Sequence, residues 1–319
     1  MKIIYHPKLI FGSRFLNRFH PFEFDRAAKA LELIREELGL SLEERIMRPQ
    51  KILEKEALEL VHDRKYLQSL KQTWTIVEVI ETPLIYFFPK SWVQSWFVEP
   101  ALWSVAASLM GARAALKEGL AFVLGGGFHH AKRQGGEGFC LVNDIAFVIE
   151  TLRSEEVLKS SDEVLYIDLD VHQGNGVSDY YGDDPNVKIL DAYNGDIYPV
   201  YGKKSPDHID VPVVFESGCG DEEYIAETKQ ALDKLLSTTN EPKLLIYNAG
   251  TDIFEEDRLG GLKISHRGVN TRDALVLNFA MTNRIPMLVL ASGGYSKTSA
   301  KLLADFIVMS YRTQDQGPS

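Results

Sequence analysis

Five short apolar runs, each followed directly by polar, glycine-bearing sequence, constrain the fold more than any other feature of the chain. The runs occupy residues 121–124, 164–169, 187–190, 244–247 and 287–290. Such short runs without polar alternation are typical of strands that are buried on both faces of a sheet. Amphipathic helical patterns lie between them, at residues 24–38, 102–116, 221–236 and 269–282. The alternation predicts an α/β protein with one open, mostly parallel β-sheet flanked by helices on both faces.

The length and composition of the chain suit a single globular domain. Its 319 residues are 45% hydrophobic and 25% charged, and no low-complexity linker interrupts them. We therefore expect one domain over residues 1–312, followed by a disordered tail at 313–319. The formal net charge of −10 argues against direct nucleic-acid binding, which requires clustered lysine and arginine.

Cysteine usage and hydropathy indicate a cytoplasmic location. The two cysteines, Cys140 and Cys219, form no CxxC pair, so neither a disulfide framework nor a sulfur-ligated zinc is indicated. The sequence MKIIYHPKLIFG at residues 1–12 has too short an apolar stretch for a secretory signal, and no apolar run reaches membrane-spanning length.

Chemically active side chains follow four of the predicted strands. The segments are GGGFHH at 125–130, DLDVHQGN at 168–175, NAGTD at 248–252 and SGGY at 292–295. Ligands of open α/β sheets bind beyond the carboxyl ends of the strands, so these segments are expected to meet in one crevice. Two carboxylates and an imidazole, from Asp170, His172 and Asp252, suit a divalent ion that keeps an open coordination position. The pattern predicts a catalytic metal site.

Asp168 precedes two of these ligands on the same face of an extended chain, because alternate residues point the same way. One step deeper than Asp170, its carboxylate can orient a neighbouring imidazole. The alternative is a cluster of solvated acids in a turn, but charged groups directly after an apolar strand, followed by His172, favour ligation. Asp252 has the weakest individual signal, because an aspartate at this point can also cap the next helix.

Three further residues are predicted to take part in chemistry. His129 and His130 follow three glycines and lack the i, i+4 spacing with which a helix presents two histidines to one metal ion. We interpret them as acid–base groups. Tyr295 follows two glycines at a strand end, from which its phenol can donate to a developing oxyanion, the alternative being a core tyrosine.

These motifs resemble the histone deacetylase and acetylpolyamine amidohydrolase family of the arginase–deacetylase fold, and the resemblance spans nearly the whole chain. It is carried by the pairs His6–Pro7 and His20–Pro21, VHDRKYLQSL at 61–70, GGGFHHAKRQGGEGFCLVNDIA at 125–146, YIDLDVHQGNGV at 166–177, YNAGTDIFEEDRLGGLKIS at 247–265, and SGGYSK at 292–297. Within the family, the segments at 173–175 and 257–261 are most similar to class IV deacetylases.

The resemblance implies a role for each candidate residue. It makes Asp170, His172 and Asp252 the ligands of one zinc ion, pairs His129 with Asp168 and His130 with Asn175, and makes Tyr295 the oxyanion donor. His130 would accept a proton from the attacking water and return one to the leaving amine. The family also binds potassium or a similar ion, which here would involve Asp168, Asp170 and His172.

Further positions bear on the substrate. The resemblance puts Gly138, Phe139 and Tyr198 in an acyl-lysine tunnel, and Leu259 where polyamine-selective members carry an acidic gate. It therefore implies an acyl-lysine peptide or protein, with acetyl or a longer acyl group, ahead of an acylated polyamine or other small amine. The aromatic stretch at 83–97 can line an acyl pocket, although packing within a loop is the favoured interpretation.

Two alternatives share the fold. A ureohydrolase with two manganese ions requires an additional bridging carboxylate, usually two residues beyond the histidine ligand, where this chain has Gly174. A non-catalytic acyl-lysine binding module would be expected to have lost ligands or Tyr295, and all of them are present.

The residue behind His130 generates a testable prediction. Asn175 can orient His130 but offers no countercharge to its protonated form, so we hypothesise that the pKa of His130 is lower than it would be beside a carboxylate. Asn175→Asp should raise this pKa and shift the acidic limb of the pH–rate profile for amide hydrolysis upward. An unchanged profile would contradict the hypothesis.

Overall fold

The computed structural model describes residues 1–12, 23–199 and 208–315, so the His20–Pro21 pair lies outside the described residues. One eight-stranded sheet runs through the protein in the order β2-β1-β3-β8-β7-β4-β5-β6. All neighbouring strands are parallel. Helices flank this open sheet, and the predicted fold class is confirmed.

The strands are β1 (Lys2–Ile4), β2 (Ile46–Met47), β3 (Leu120–Val123), β4 (Val164–Asp168), β5 (Val187–Asn194), β6 (Val211–Phe215), β7 (Leu244–Asn248) and β8 (Met287–Leu290). The helices are α1 (Arg26–Leu38), α2 (Arg64–Ser69), α3 (Thr73–Ile80), α4 (Lys90–Val93), α5 (Glu99–Glu118), α6 (Asp144–Ser154), α7 (Asn175–Tyr181), α8 (Asp221–Ser237), α9 (His266–Thr282) and α10 (Ser299–Asp315). Within the described residues there are also four 3₁₀ segments and one π-helical turn, at Pro7–Leu9, Gly39–Arg45, Lys55–Leu60, Pro83–Phe87 and Gln94–Val98.

The predicted strands agree with the observed ones in the centre of the sheet and differ towards its edges. The run at 287–290 coincides with β8, and three other runs differ from their strands by one residue at one or both ends. β5 continues to Asn194, four residues beyond the predicted end, because the charged residue Asp191, which ends the apolar run, is itself fully buried within the strand. Strands β1, β2 and β6 were not predicted.

The helices bury one face, as the periodicity of their apolar residues requires. In α8 the acidic residues Asp221, Glu222 and Glu223 occupy the first turn, where they interact favourably with the helix dipole. The buried stripe of α8 consists of Tyr224, Thr228, Ala231, Leu232 and Leu235. Ile225 and Leu236 of the same helix are only partly buried against the core.

Helix α5 packs closely on the sheet through Gly111. A Cβ atom at this position would lie 2.6 Å from Val123 Cγ2 and 2.8 Å from Leu288 Cδ1, in β3 and β8 respectively. Glycine thus allows the helix to approach the two strands from which part of the site extends.

Two predictions about the ends and loops of the chain require correction or detail. Helix α10 continues to Asp315, so residues 313–315 are helical and do not belong to a disordered tail. In the aromatic stretch at 83–97, Phe97 is buried, and the ring centroids of Trp96 and Phe88 lie 5.2 Å apart. Phe87 is 81% exposed. Among the described residues, no helix is both long and apolar enough to cross a membrane.

His62 joins the start of α2 to the loop between β3 and α6. The ring is buried, its Nε2 accepts a hydrogen bond from Asn143 N at 2.9 Å, and its Nδ1 lies 2.9 Å from the carbonyl oxygen of Lys132. The Asn143 contact requires a neutral ring with its proton on Nδ1, which then donates to Lys132. Burial lowers the pKa of His62 to about 4.

This histidine should make the free energy of unfolding depend on pH. Below pH 6.5 the unfolded chain protonates His62, whereas the folded protein does so only near pH 4, so stability attributable to this group falls as pH falls through that window. The loss amounts to about 3 kcal/mol between pH 7 and pH 4. His62→Gln should remove this part of the pH dependence in denaturant titrations. The matched control is His208→Gln, at a half-exposed side chain, and equal slopes for the two variants would contradict the assignment.

Candidate active site

Four adjacent strands, β3, β8, β7 and β4, bring the predicted chemical segments to one edge of the sheet. The ligand atoms of Asp170, His172 and Asp252 all lie within 4.8 Å of one another, and the three residues are buried. His172 Nδ1 is 3.1 Å from Asp170 Oδ1 and 3.3 Å from Asp252 Oδ2. The three predicted ligands therefore form one compact group.

The group fits a divalent metal ion. Asp252 Oδ2 is buried and receives no hydrogen bond from the described residues, although such an oxygen normally has a partner. A Cβ atom at position 293 would lie 2.1 Å from this oxygen and 2.5 Å from Asp170 Oδ2, so Gly293 leaves the space beside both carboxylates open. Two carboxylates and one imidazole around such a space are a donor set suited to a catalytic metal ion.

A buried arginine that was not predicted from the sequence supports two of the ligand loops from behind. Arg272 of α9 is fully buried and donates to the carbonyl of Leu169 at 3.0 Å and to that of Gly250. These carbonyls lie one residue before Asp170 and two residues before Asp252. Asp273 accepts from the same guanidinium at 2.8 Å and balances its charge.

His129 is held by a carboxylate. Its Nδ1 lies 2.7 Å from Asp168 Oδ2, and that carboxylate also accepts from Tyr166 Oη at 2.5 Å and Asn248 Nδ2 at 3.1 Å. Burial opposes the charged form of the ring, but Asp168 and Asp170 outweigh it and raise the pKa of His129 to about 9. Asp168 thus lies where it was predicted to orient an imidazole.

His130 is held by an amide instead. Its Nδ1 lies 2.7 Å from Asn175 Oδ1, and Asn175 Nδ2 donates to Glu137 Oε1. Burial, together with the positive charges of His129 and His172, holds the pKa of His130 well below 6.5. The two adjacent histidines, whose ring centroids are 4.1 Å apart, therefore differ in protonation near neutral pH.

Tyr295 is positioned by two groups from distant parts of the chain. The backbone amides of Tyr295 and Ser296 donate to Asp257 Oδ2 at 2.7 and 3.0 Å. Arg26 of α1 donates to the carbonyl of Gly293 at 2.8 Å and to that of Ser292. Burial, reinforced by the charge of Asp252, raises the pKa of Tyr295 well above 10, so the phenol keeps its proton as a hydrogen-bond donor.

A cavity of about 210 Å³ adjoins these groups. It is lined by the predicted tunnel residues Gly138, Phe139, Tyr198 and Leu259, by the site residues His130, His172 and Tyr295, and by Glu81 and Ile197. No residue of the aromatic stretch at 83–97 belongs to this lining within the described chain.

Gly138 allows the cavity wall to approach His130. A Cβ atom there would lie 2.4 Å from His130 Cδ2, and the backbone has φ 51°. Phe139 also has a positive φ, 67°, and Glu137 O accepts from Cys140 N at 2.9 Å. Residues 137–140 thus form a tight turn with two central residues at positive φ, a conformation that favours glycine, and Gly138 occupies the first of these positions.

A fourth carboxylate adjoins the residues that the resemblance associates with potassium. Asp191 is fully buried, its Oδ2 accepts from Gly174 N at 2.9 Å, and its Oδ1 receives no hydrogen bond from the described residues. Burial and the charge of Asp168 raise its pKa well above 3.8. This oxygen suits either a retained proton or a bound cation, and the potassium site stays a prediction.

Several residues of the site were not found from the sequence, and two of them, Glu81 and Ile197, line the cavity. Glu81 is exposed at the rim, where burial of part of its carboxyl raises its pKa, and its backbone has φ 55°. Arg26, Glu137, Asp257 and Arg272 likewise contact site residues that are remote in sequence. Glu137 and Asp257 belong to segments that carry the family resemblance, which is their only signal in the sequence. The two arginines, Arg26 and Arg272, lie outside those segments and have no such signal.

Comparison with known proteins identifies the family. Residues 20–310 match the family model described as "Histone deacetylase domain". "Histone deacetylase 2" of Arabidopsis thaliana is 38% identical over 309 residues, which cover 96% of this chain and 78% of that protein. Human "Histone deacetylase 1" is 32% identical over 178 residues, or 54% of this chain and 35% of that protein.

A solved structure supports the fold. The HD domain of HDA15 superposes with a TM-score of 0.74, covering all of this chain and 90% of that one, at 20% sequence identity. An identity this low bears on the fold alone, whereas the sequence matches extend over the segments that form the site. The chain therefore belongs to the histone deacetylase family.

Proposed function

We propose that the protein is a zinc-dependent deacylase that hydrolyses the amide bond between an acyl group and the side-chain amine of lysine. One observation carries this proposal. The Asp170, His172 and Asp252 group reaches a cavity of about 210 Å³ through His172, beside two histidines of different protonation and a protonated tyrosine. Membership of the histone deacetylase family supports a hydrolase that acts on acylated amines.

Metal binding and proton transfer are assigned to different residues in the proposed mechanism. A zinc ion held by Asp170, His172 and Asp252 would supply a Lewis acid, able to polarise the amide carbonyl and to lower the pKa of a water molecule. His130, neutral and with its Nδ1 proton held by Asn175, has a free lone pair on Nε2 and accepts the proton of the attacking water. His130 then donates a proton to the leaving amine.

The remaining groups stabilise charge. Tyr295 donates its phenol proton to the oxygen that becomes negative as water attacks the carbonyl. His129, whose pKa is about 9, stays protonated beside Asp168 and contributes a positive charge near that oxygen. The hydrolysis yields a carboxylate and a free amine.

The cavity favours an extended acyl-lysine side chain over a bulkier substrate. Its 210 Å³ suit an alkyl chain and a small acyl group, and Phe139, Tyr198 and Leu259 supply apolar contacts. An acylated polyamine is the second candidate, because the exposed carboxylate of Glu81 can attract a cationic chain. Leu259, an apolar residue at the same rim, disfavours it. The acidic net charge of −10 is compatible with a basic peptide partner.

The proposal also includes a cytoplasmic location and a class IV affiliation. Both cysteines are free and buried, as is common for proteins of reducing compartments. The class IV affiliation depends on the Gln173–Gly174–Asn175 run and on the loop at 257–261.

Zinc affinity should increase with pH in protein stripped of metal by a chelator. Burial opposes a charge on His172, but the carboxylates of Asp170 and Asp252, which lie 3.1 and 3.3 Å from its Nδ1, raise its pKa to about 10. His172 must lose this proton to bind zinc, so the affinity should rise about tenfold per pH unit between pH 7.5 and 9. Isothermal titration in buffers of different ionisation enthalpy measures both the affinity and the proton release.

His266 provides the matched control for this titration. It is paired with Asp305 at 2.7 Å outside the site, so His266→Gln should retain both the affinity and its dependence on pH. A zinc affinity that does not vary with pH would contradict the protonated state of His172.

Tyr295→Phe should reduce kcat for a zinc-loaded enzyme by about 10²- to 10³-fold, the usual effect of removing an oxyanion donor. Activity is measured on lysine peptides carrying acyl groups from acetyl to myristoyl, with acetylated polyamines in parallel. Tyr86→Phe is the control, because Tyr86 is 63% exposed and does not line the cavity. Hydrolysis of none of these substrates by the wild-type protein would refute the proposed function.

A further inference from the structure

The catalytic histidine His130 depends on an asparagine whose orientation must itself be determined. An amide can present either its oxygen or its nitrogen to a neighbouring ring nitrogen. If Asn175 presents Oδ1, the proton of neutral His130 lies on Nδ1, and Nε2 is free to act as a base. If the amide is rotated by 180°, the NH₂ group faces Nδ1, the proton moves to Nε2, and the ring can no longer accept a proton from water.

Glu137 removes this ambiguity. Its Oε1 accepts a hydrogen bond from Asn175 Nδ2. A carboxylate can only accept, so it fixes the NH₂ group on its own side and leaves Oδ1 for His130, at 2.7 Å from Nδ1. Lys132 Nζ lies 2.9 Å from the same Oε1 and anchors the carboxylate. The chain of contacts therefore runs from Lys132 through Glu137 and Asn175 to His130.

The cavity wall and this carboxylate belong to one element. Glu137 begins the tight turn at 137–140, in which Gly138 lies against the His130 ring and Phe139 lines the cavity. The amide of Phe139 donates to the carbonyl of Val79 at 3.0 Å, which holds the turn against α3. The same turn thus sets the distance of the wall from His130 and delivers Glu137 to Asn175.

We propose that Glu137 is a positioning residue that selects the tautomer of His130 through Asn175. The inference rests on the proposed function, in which His130 is the base. Glu137 contacts neither the substrate cavity nor the metal ligands in the described structure, so it acts on the chemistry only through the asparagine.

The test exchanges the amide and the carboxylate. In Glu137→Gln the second amide no longer enforces one orientation of Asn175, and kcat should fall at least about tenfold, with KM for the peptide within about twofold. In Asn175→Asp two carboxylates face each other, and kcat should also fall. In the double variant, Glu137→Gln with Asn175→Asp, the introduced amide can donate to the introduced carboxylate, which accepts from His130. Each donor then again faces an acceptor between residue 137 and His130. The kcat of the double variant should therefore return most of the way to the wild-type value.

Two controls accompany this exchange. Glu241→Gln, which removes a carboxylate from a surface ion pair with Lys243, should leave kcat unchanged. Thermal unfolding of each variant reports whether its fold is retained. The proposal would be overturned if kcat in the double variant fell by the product of the two single-variant factors. It would also be overturned if Glu137→Gln left kcat unaltered.

A spectroscopic measurement tests the tautomer without turnover. In protein labelled with ¹⁵N-histidine and carrying its metal, the Nδ1 and Nε2 shifts of His130, assigned with His130→Gln, should indicate a proton on Nδ1. Glu137→Gln should shift them towards a mixture of tautomers, and unchanged shifts would refute the role of Glu137. If the wild-type protein hydrolyses no acylated amine, the proposed function fails, while this measurement still decides the tautomer.

Discussion

Four carboxylates, those of Asp168, Asp170, Asp191 and Asp252, are withdrawn from water at one edge of the sheet, and the arrangement of the site follows from this burial. Burying a charge without partners costs several kcal/mol, so each carboxylate requires donors or a cation. Asp168 receives hydrogen bonds from side chains of β4 and β7, and Asp170 from Ser292 Oγ at 2.7 Å and Gly293 N at 2.8 Å. The ends of β4 and β7 and the segment after β8 are thereby joined by hydrogen bonds.

The different partners of the two adjacent histidines explain how one environment supports two roles. His129 and His130 are equally buried and nearly in contact, so burial alone would lower both pKa values. A carboxylate behind His129 reverses the effect, whereas the amide behind His130 does not. One charged and one neutral imidazole are therefore available side by side near neutral pH.

The central strands and the groups at their ends were predictable because both depend on local sequence. Apolar runs of four to six residues followed by Asp170, His172, Asp252 or Tyr295 indicate strand ends without knowledge of the fold. β1 has three residues and β2 has two, too few for a periodic signal, and Pro212 within β6 is unusual for a strand. The supporting residues Arg272, Asp257 and Glu137 are harder to predict. Their partners lie between 22 and 103 positions away along the chain, so the sequence around each of them does not reveal the contact.

Asp257 links a wall of the cavity to the backbone of Tyr295. Its Oδ1 accepts from the amide of Leu259, which lines the cavity, at 3.0 Å, and its Oδ2 accepts from the amide of Tyr295 at 2.7 Å. Exchanging the loop at 257–261 would therefore also remove a contact that anchors Tyr295. In the proposed mechanism this couples the choice of acyl group to the rate of hydrolysis, and a redesigned loop would need a replacement anchor for the tyrosine backbone.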